Sequence, residues 1–373
     1  MVLLINTAST FKGGGVQVAL SFIKECRNYP DNTYHVVLSD AVGKLITRQN
    51  YPSNFHFYEL SYRPASRLFS FKSHNGALKS IEKAVQPDCV FTTSGPAYWR
   101  PRVSHLVGFN LPHHIYPDSP YFGKMNLYAR VRWFLKKKLH SFYFRRDSDA
   151  LVTQTHDVSE RVKKLLKRDN VFTVSNTCSS HYYDSSPRFS NLLPAKRPGE
   201  YRFLTFTAYY PHKNLEIIKE VVPILKRQGY DQIVFVLTID HKTFHRVFSD
   251  MSDCIINVGP VPAEQGPTLY REVDFIFLPT LLECFSANYP EAMVMQKPLL
   301  TSDLPFARTV CEDAALYFDP LNAGDIAARI IDLIENNTLR DGLICKGIEH
   351  VKKFPGARER AARYLEICHE LAR

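Results

Sequence analysis

The chain has 373 residues, and 47 lysines and arginines against 37 acids give it a net charge of +10. Because this length is too great for one ordinary core, we expect two domains. The positive charge indicates an anionic partner: a phosphorylated substrate, an acidic membrane surface or nucleic acid. Nucleic acid is disfavoured, since the sequence has no zinc-ligand spacing, RNP-like strand or basic repeat. Eight scattered cysteines without a C-x-x-C pair are typical of reduced thiols in a cytoplasmic protein.

The first half of the chain alternates short strand-like runs with helical ones. Its first strand is predicted at residues 2–5, because this start lacks the basic flank and long apolar core of a signal peptide. Further strands are predicted at 34–38, 89–92, 103–108, 149–153 and 171–175, and helices at 16–26 and 78–85, with a basic, aromatic helical stretch at 120–147. Such alternation predicts a parallel sheet covered on both faces.

Residues 184–200 are rich in Ser, Pro and basic side chains, which is typical of a linker. The pattern then restarts, with strands predicted at 201–207, 232–238, 255–258, 274–278, 298–301 and 315–318, and helices at 215–228, 267–272, 289–296, 325–336 and 357–373. We therefore predict an α/β protein with a domain at 1–184, a linker at 185–200 and a second domain at 201–356. The helix at 357–373 is expected to pack back toward the first domain. No apolar run reaches the roughly 18 residues of a membrane span.

Two features of the first half are candidates for ligand contact. Gly13 to Gly15 follow the first predicted strand, and glycines allow the backbone to approach a ligand at a helix start. The pattern is neither G-x-G-x-x-G nor a Walker A loop, so a plain glycine turn stays open as the alternative. His113 and His114 follow the strand at 103–108, where a histidine could donate to a sugar hydroxyl; a pair of surface histidines is the alternative.

Cations and aromatic residues alternate between residues 130 and 146 on the predicted helix. Stretches of this kind dock on anionic lipid surfaces, with the aromatic rings at the level of the headgroups. The ordinary interpretation is an amphipathic helix whose aromatics lie in the core and whose lysines lie in water. For the cationic side chains we predict contact with a membrane or a lipid-linked acceptor: Arg132, Lys136, Lys137 and Lys138.

The second half carries a lysine and two acids in informative places. Lys213 lies at a predicted helix start, where the helix dipole disfavours a cation, so we favour a role on a diphosphate over a solvated lysine. Glu283 and Glu291 are separated by seven residues, one in the loop after the strand at 274–278 and one in the first turn of the next helix. Such a junction favours phosphate, and two acids beside it suit a sugar nucleotide. Two ordinary surface carboxylates are the alternative.

These residues resemble the retaining glycosyltransferases of family 4, which have the GT-B fold of two Rossmann-like domains facing a cleft. That family carries a Glu, seven residues, Glu motif ending in Pro-Glu-Ala, as Pro290-Glu291-Ala292 does here, and a Lys-Asn or Lys-Gly like Lys213-Asn214. The resemblance implies metal-independent hexosyl transfer from a UDP- or GDP-linked sugar to a hydroxyl of a glycan, without a cofactor. The acceptor would be lipid-linked, in surface polysaccharide or O-antigen synthesis, with the enzyme peripheral on the inner face of the cell membrane.

The resemblance also implies residue roles. Lys213 would neutralise the leaving diphosphate, Glu283 would face the donor sugar and Glu291 would hold the ribose hydroxyls. His113 would reach the reacting region. The donor would also contact Gly14, Gly15, His212, Phe285, Ser286, Ala287 and Asn288.

The chain departs from the family pattern in two places. The usual Arg five residues before the lysine is Ala208, so the diphosphate charge is expected to fall on Lys213 or on another cation such as His212. Cys284-Phe285-Ser286 replaces the frequent Gly-Phe-Gly, which predicts a differently shaped sugar pocket. Two other functions stay open. One is another GT-B enzyme, a nucleotide-sugar epimerase or a phosphorylase, although the sequence shows neither an acid/base set nor a cofactor lysine. The other is a non-catalytic sugar- or polyanion-binding module.

Overall fold

The computed structural model describes residues 1–11, 13–60, 62–67, 76–183 and 189–373. Lys12, beside the glycine loop, and residues 184–188 of the predicted linker lie outside the described residues. The chain divides into two compact units. The first contains Met1–Pro117, Met125–Asn176 and Pro355–Arg373, and the second contains Asp118–Lys124 and Thr177–Phe354.

The first unit is built on a parallel sheet. Its strands are β1 (Val2–Asn6), β2 (Thr33–Leu38), β3 (Phe55–Glu59), β4 (Cys89–Thr92), β5 (Ser104–Gly108), β6 (Ala150–Thr153) and β7 (Val171–Thr173). They lie in the order β3-β2-β1-β4-β5-β6-β7, and each pairs in parallel with its neighbour. The chain therefore reverses its direction of winding between β1 and β4. The edge strand β3 was not predicted, because its partly exposed Phe-His-Phe-Tyr-Glu sequence does not form a continuous apolar run.

Helices cover this sheet and supply its core. They are α1 (Gly14–Glu25), α2 (Asp40–Gly43), α3 (Gly76–Val85), α4 (Leu127–Asp147) and α5 (His156–Leu166). Phe22 of α1 is buried with its ring edge-on to Phe91 of β4, at 5.1 Å between centroids. The predicted single helical stretch at 120–147 is in two pieces. A 3-10 turn covers Pro120–Lys124, and α4 begins at Leu127 because Asn126 caps it by accepting the Ala129 N–H at 2.8 Å.

The second unit repeats the same principle with a smaller sheet. Its strands are β8 (Tyr201–Thr205), β9 (Ile233–Leu237), β10 (Ile255–Asn257), β11 (Phe275–Leu278), β12 (Leu299–Ser302) and β13 (Leu316–Phe318). They lie in the order β10-β9-β8-β11-β12-β13, all parallel, so the winding reverses between β8 and β11. Strands that are buried on both faces have continuous apolar sequences, and the buried Phe203, Phe235 and Phe277 are examples.

The helices of this unit pack on both sides of the sheet. They are α6 (Ile218–Arg227), α7 (His241–Phe248), α8 (Gly266–Arg271), α9 (Asn288–Val294), α10 (Pro305–Cys311), α11 (Ala323–Glu335) and α12 (Asn337–Val351). The helix predicted at 215–228 starts as a 3-10 turn at Leu215–Ile217, because Asn214 adopts the left-handed conformation with φ of 56°. The last helix, α13 (Ala357–Ala372), belongs to the first unit. Its buried Arg360 donates to Asn176 and, at 2.8 Å, to Ser21.

The unit boundaries differ from the domain limits expected from the sequence. The prediction assigned all of residues 1–184 to the first domain, whereas residues 118–124 and 177–183 lie in the second unit. We call residues 118–124 the strap. Ser119 of the strap donates to the Leu281 carbonyl at 2.6 Å, and Lys124 donates to Asn214 Oδ1 at 2.5 Å. Tyr182 packs edge-on against Tyr270 at 5.3 Å between ring centroids.

Candidate functional site

The loops that leave β8 and β11 lie side by side, because these two strands are neighbours where the second sheet reverses its winding. The Leu281 N–H donates to the His212 carbonyl at 2.7 Å, and the Thr280 hydroxyl donates to the same oxygen at 3.3 Å. The carboxyl edge at such a reversal is where open α/β sheets bind their ligands. The topology therefore brings the predicted residues of both loops to the edge of the sheet where a ligand is expected.

Lys213 and Glu283 form an ion pair at this edge. The lysine ammonium donates to Glu283 Oε1, which also accepts the Thr280 hydroxyl at 3.2 Å. The two side chains are only 16% and 13% exposed, so their charges attract more strongly than those of a surface pair. The ammonium has three N–H donors, and this pair uses one of them. The arrangement offers a positive group to an anion beside a carboxylate that can accept from hydroxyl groups.

Asn214 fixes the turn that carries Lys213. It is buried with a positive φ, a conformation that asparagine tolerates better than most residues. Its side-chain NH₂ donates to the Pro320 carbonyl at 2.9 Å, and its oxygen accepts from Lys124 of the strap. Sequence reasoning missed Lys124, which lies 90 positions before Asn214. No local pattern could have revealed a contact over that separation.

His212 is a neutral imidazole at this site. Its ring stacks on Tyr210 at 5.5 Å, and Tyr121 of the strap meets it edge-on at 6.1 Å. Burial, reinforced by the charge of Lys213, lowers the pKa of His212 to about 4. This lowered pKa disfavours His212 as the cation that replaces the arginine missing at Ala208. A neutral imidazole can still hydrogen-bond a ligand, and the exposed Lys124 is the cation that the strap adds here.

Glu291 lies buried in the first turn of α9. Its carboxylate accepts the Tyr270 hydroxyl at 3.1 Å, and Tyr270 in turn accepts the Asn288 side-chain N–H at 3.2 Å. Burial raises the pKa of Glu291 to about 7, against the hydroxyls of Tyr270 and Tyr182, which favour the ionised form. The two tyrosines were missed from the sequence, because nothing near them in the chain marks them as partners of this acid.

The segment between the two acids is held in place by its own polar groups. Asn288 also donates to the Phe206 carbonyl at 3.0 Å, which ties the start of α9 to the end of β8. Ser286 is buried and donates to Asn288 at 3.3 Å, while Phe285 is half-buried with its ring 6.0 Å from that of Phe354. The half-buried Ala287 precedes α9 and offers no capping side chain to its first amides.

A protein-family model described as glycosyl transferases group 1 matches residues 194–350, the part of the chain that carries the lysine and both acids. The second unit is a group 1 glycosyltransferase domain. O-antigen chain mannosyltransferase B of Escherichia coli is 24% identical over 273 residues, which cover 68% of this chain and 70% of that protein.

Two solved structures extend the similarity to the whole chain. Sucrose-phosphate synthase from Thermosynechococcus elongatus superposes with a TM-score of 0.73 at 14% identity, covering 99% of this chain and 98% of that one. Anabaena Alr3699/HepE, in complex with UDP and glucose, gives a TM-score of 0.71 at 14% identity and covers both chains fully (100% each). The predicted GT-B fold of a glycosyltransferase is confirmed.

The glycine loop lies at the corresponding reversal of the first sheet, after β1. Gly13 has a φ of 68°, which favours glycine at this position. A Cβ added at Gly15 would approach Asn110 Nδ2 at 3.4 Å, whereas one added at Gly14 would meet no atom within 4 Å. Among the described residues, no protein contact therefore requires a glycine at position 14, and the loop leaves open space beside that residue.

The two histidines of the first unit have different environments. His114 is buried, with its Nε2 3.0 Å from His140 Nδ1, and His140 Nε2 lies 3.0 Å from the Tyr98 hydroxyl. Burial lowers the pKa of His114 to about 3 and that of His140 to about 4, so both are neutral near pH 7. His113 is half-buried. Of the pair it is therefore the one whose side chain stays accessible to a ligand.

Helix α4 presents the predicted basic residues to solvent. Arg132, Lys136 and Lys138 are exposed, and Lys137 is half-buried. The ordinary interpretation placed the aromatics of this helix in the core, and that holds for Phe144 alone among its three phenylalanines. Phe134 and Phe142 are instead more than half exposed.

A cavity of 640 Å³ opens at the ends of β12 and β13, next to the Lys213 turn, because Pro320 lines it and also accepts from Asn214. Arg308 at its wall donates two hydrogen bonds of 2.7 Å to Asp303.

Among the described residues there is no cluster of three or more His, Cys, Asp or Glu side chains that could bind a metal ion. Within the same residues, no helix has the length and apolar character needed to cross a membrane.

Proposed function

We propose that this glycosyltransferase moves a hexose from a UDP- or GDP-linked donor to a hydroxyl of a glycan acceptor, with retention at the anomeric carbon. The ion pair between Lys213 and Glu283 carries this proposal. It sets a positive group for a phosphate beside an acceptor for sugar hydroxyls, at the edge of the sheet where such folds bind nucleotides. The Anabaena neighbour contains UDP and glucose, which supports a nucleotide sugar as the donor.

The chemistry requires stabilisation of the leaving group. When the bond between the anomeric carbon and the diphosphate oxygen breaks, negative charge develops on the diphosphate while the sugar becomes positive. The Lys213 ammonium offsets the negative charge electrostatically in a partly buried environment, where such an interaction is strong. The acceptor hydroxyl attacks from the same face, and its proton passes to the departing phosphate oxygen. In this proposal the protein needs no metal ion, and a chelator should leave turnover unchanged.

The remaining donor contacts follow from the resemblance and the positions of the side chains. Glu283 accepts from a hydroxyl of the sugar, Glu291 accepts from the ribose diol, and residues 285–288 line the sugar and phosphates. His212 contributes as a neutral hydrogen-bonding group. The proposal assigns the donor contacts of the first unit to Gly14, Gly15 and His113.

The acceptor is proposed to be a lipid-linked glycan. The similar Escherichia coli protein is a mannosyltransferase of O-antigen chains, which supports surface polysaccharide assembly as the process. Since such acceptors are held in a bilayer, we place the enzyme in the cytoplasm, peripheral on the inner face of the cell membrane.

The test is nucleotide release from a panel of UDP- and GDP-sugars, with and without acceptor. We expect Lys213→Ala to lower turnover by roughly a hundredfold or more, the usual cost of losing one electrostatic stabiliser. Lys226→Ala is the matched control, because Lys226 also pairs with a carboxylate of the same unit, Asp253 at 2.6 Å, but on the exposed surface of α6. Equal turnover of the Lys213 variant and the control would exclude the diphosphate role. Release from no nucleotide sugar would contradict the proposed reaction itself.

A further inference from the structure

Helix α4 is apolar on two opposite sides. One side packs into the first unit through buried residues that include His140 and Phe144. The other side carries a row of large apolar side chains that are 38–76% exposed, which we call the apolar stripe: Leu127, Tyr128, Val131, Phe134, Leu135, Leu139 and Phe142. At about 100° per residue these seven positions fall within one arc of about 140°. A surface helix normally shows polar residues on its outer face, so this stripe requires a partner.

Positive charge surrounds the apolar stripe. The helix has seven lysines and arginines between Leu127 and Arg146 and no acid before Asp147 at its end. Helical geometry puts Arg132 and Lys136 on one side of the stripe, Arg130 and Lys137 on the other, and Lys138 within its arc. The Lys138 ammonium lies 5.4 Å from the centre of the Phe134 ring, so cation and aromatic ring are presented together.

We propose that the apolar stripe is a docking surface for an anionic lipid bilayer, with α4 lying in the plane of the headgroups. Interleaved apolar, aromatic and cationic side chains match the boundary between acyl chains and acidic headgroups. The stripe extends over about 22 Å of helix, from Leu127 to Phe142, which is enough for a parallel contact. A second copy of the chain is a poorer partner, because two such helices would bring their cationic borders together.

This inference deepens the proposed function and rests on it in one respect, since a lipid-linked acceptor lies in the same bilayer. The residues of the apolar stripe are different from all the residues that the proposed function assigns to the donor. Vesicle binding and donor chemistry can therefore be measured separately on the same purified protein.

The experiment is co-sedimentation of the full chain with vesicles of phosphatidylcholine alone or with added phosphatidylglycerol. We expect binding to the anionic vesicles only. The double variant Phe134→Glu, Leu135→Glu should lose at least ~30-fold in affinity, because it places two acids on the stripe. Lys136→Gln with Lys138→Gln should lose about tenfold to thirtyfold, since each cation near the surface adds to the attraction.

Two matched controls separate the stripe from general surface effects. Leu45→Glu changes an equally exposed apolar residue of the first unit, and Lys79→Gln with Lys164→Gln removes two exposed lysines from α3 and α5. All controls should bind like the original chain, and every variant should keep nucleotide release from soluble donors. Anionic vesicle binding that survives Phe134→Glu, Leu135→Glu would overturn the proposal. So would a dimer that this variant dissociates while vesicles bind neither form. If the original chain bound anionic vesicles but released no nucleotide from any donor, that result would instead count against the proposed function.

Discussion

Replacing Glu291 by glutamine should stabilise the second unit at alkaline pH while weakening donor binding. The carboxylate is buried and accepts from Tyr270, and its pKa is raised from an ordinary 4.5 to about 7. Glutamine has nearly the same shape and keeps an oxygen that accepts the Tyr270 hydroxyl, but it never ionises. The substitution therefore removes the cost of a buried charge and little else.

The magnitude follows from the pKa shift. The folded protein holds the Glu291 proton up to about pH 7, whereas the unfolded chain releases it near pH 4.5. Between these values the native state binds more protons, so the free energy of unfolding falls as pH rises. Each unit of pKa shift corresponds to about 1.4 kcal/mol. The stability gained by Glu291→Gln should thus grow by about 2–3 kcal/mol between about pH 5 and pH 8 and change little above that.

The assay must report on the second unit alone, since two units need not unfold together. Both tryptophans, Trp99 and Trp133, lie in the first unit, so their fluorescence follows that unit. Circular dichroism or calorimetry records both transitions, and the one without a fluorescence change belongs to the second unit. Denaturant unfolding of the original chain and Glu291→Gln at the two pH values then gives the difference.

Glu335→Gln is the matched control, because Glu335 also accepts from a tyrosine hydroxyl, that of Tyr230, but is exposed on α11. It should show no comparable growth of stability with pH. The reasoning would be refuted if Glu291→Gln and the original chain differed by the same amount at both pH values. In a separate titration, Glu291→Gln should bind UDP or GDP at least tenfold more weakly, since a carboxylate accepts from a ribose diol better than an amide does.

The remaining predictions concern the glycine loop and the strap. Gly14→Ala should leave the melting temperature unchanged or raise it, because its Cβ meets open space at the start of a helix, yet it should lower donor turnover at least tenfold. The control is Gly342→Ala, which is equally open within α12, and unchanged turnover of Gly14→Ala would show that the loop is a plain turn. Lys124→Gln should raise the donor KM about tenfold because it removes the positive charge, whereas Lys124→Arg keeps the charge and should have a KM close to that of the original chain. Equal KM values for all three proteins would show that Lys124 only positions Asn214.

Much of the fold was predictable because buried parallel strands have short, continuous apolar sequences. Strands β1, β4, β8 and β11 were all found within one or two residues, and these four flank the two reversals. The edge strand β3 escaped because one of its faces is exposed. The candidate residues that could be proposed from the sequence lie in short segments that follow a strand, Lys213 after β8 and Glu283 and Glu291 after β11.

What the sequence could not show depends on contacts between distant segments. The contact of Lys124 with Asn214 spans 90 positions, and that of Ser119 with Leu281 spans 162. Charge states are equally hidden, because burial makes His212 neutral and brings the pKa of Glu291 close to 7. Neither effect can be anticipated from residue type. The exposure of Phe134 is a third case, since a helix that is apolar on two sides gives the same sequence signal as a buried one.

The strap also bears on the charge balance of the donor site. Ala208 removes the cation expected there, His212 is neutral, and the charge of Lys213 is partly offset by Glu283. A diphosphate carries more negative charge than one paired lysine can neutralise, and electrostatic stabilisation of a leaving group depends on the uncompensated positive charge near it. Lys124 contacts the residue that follows Lys213 in the chain, and no acid accepts from its ammonium in the described residues. We therefore expect the cation of the strap to supply part of the positive charge that a diphosphate would need at a site without the usual arginine.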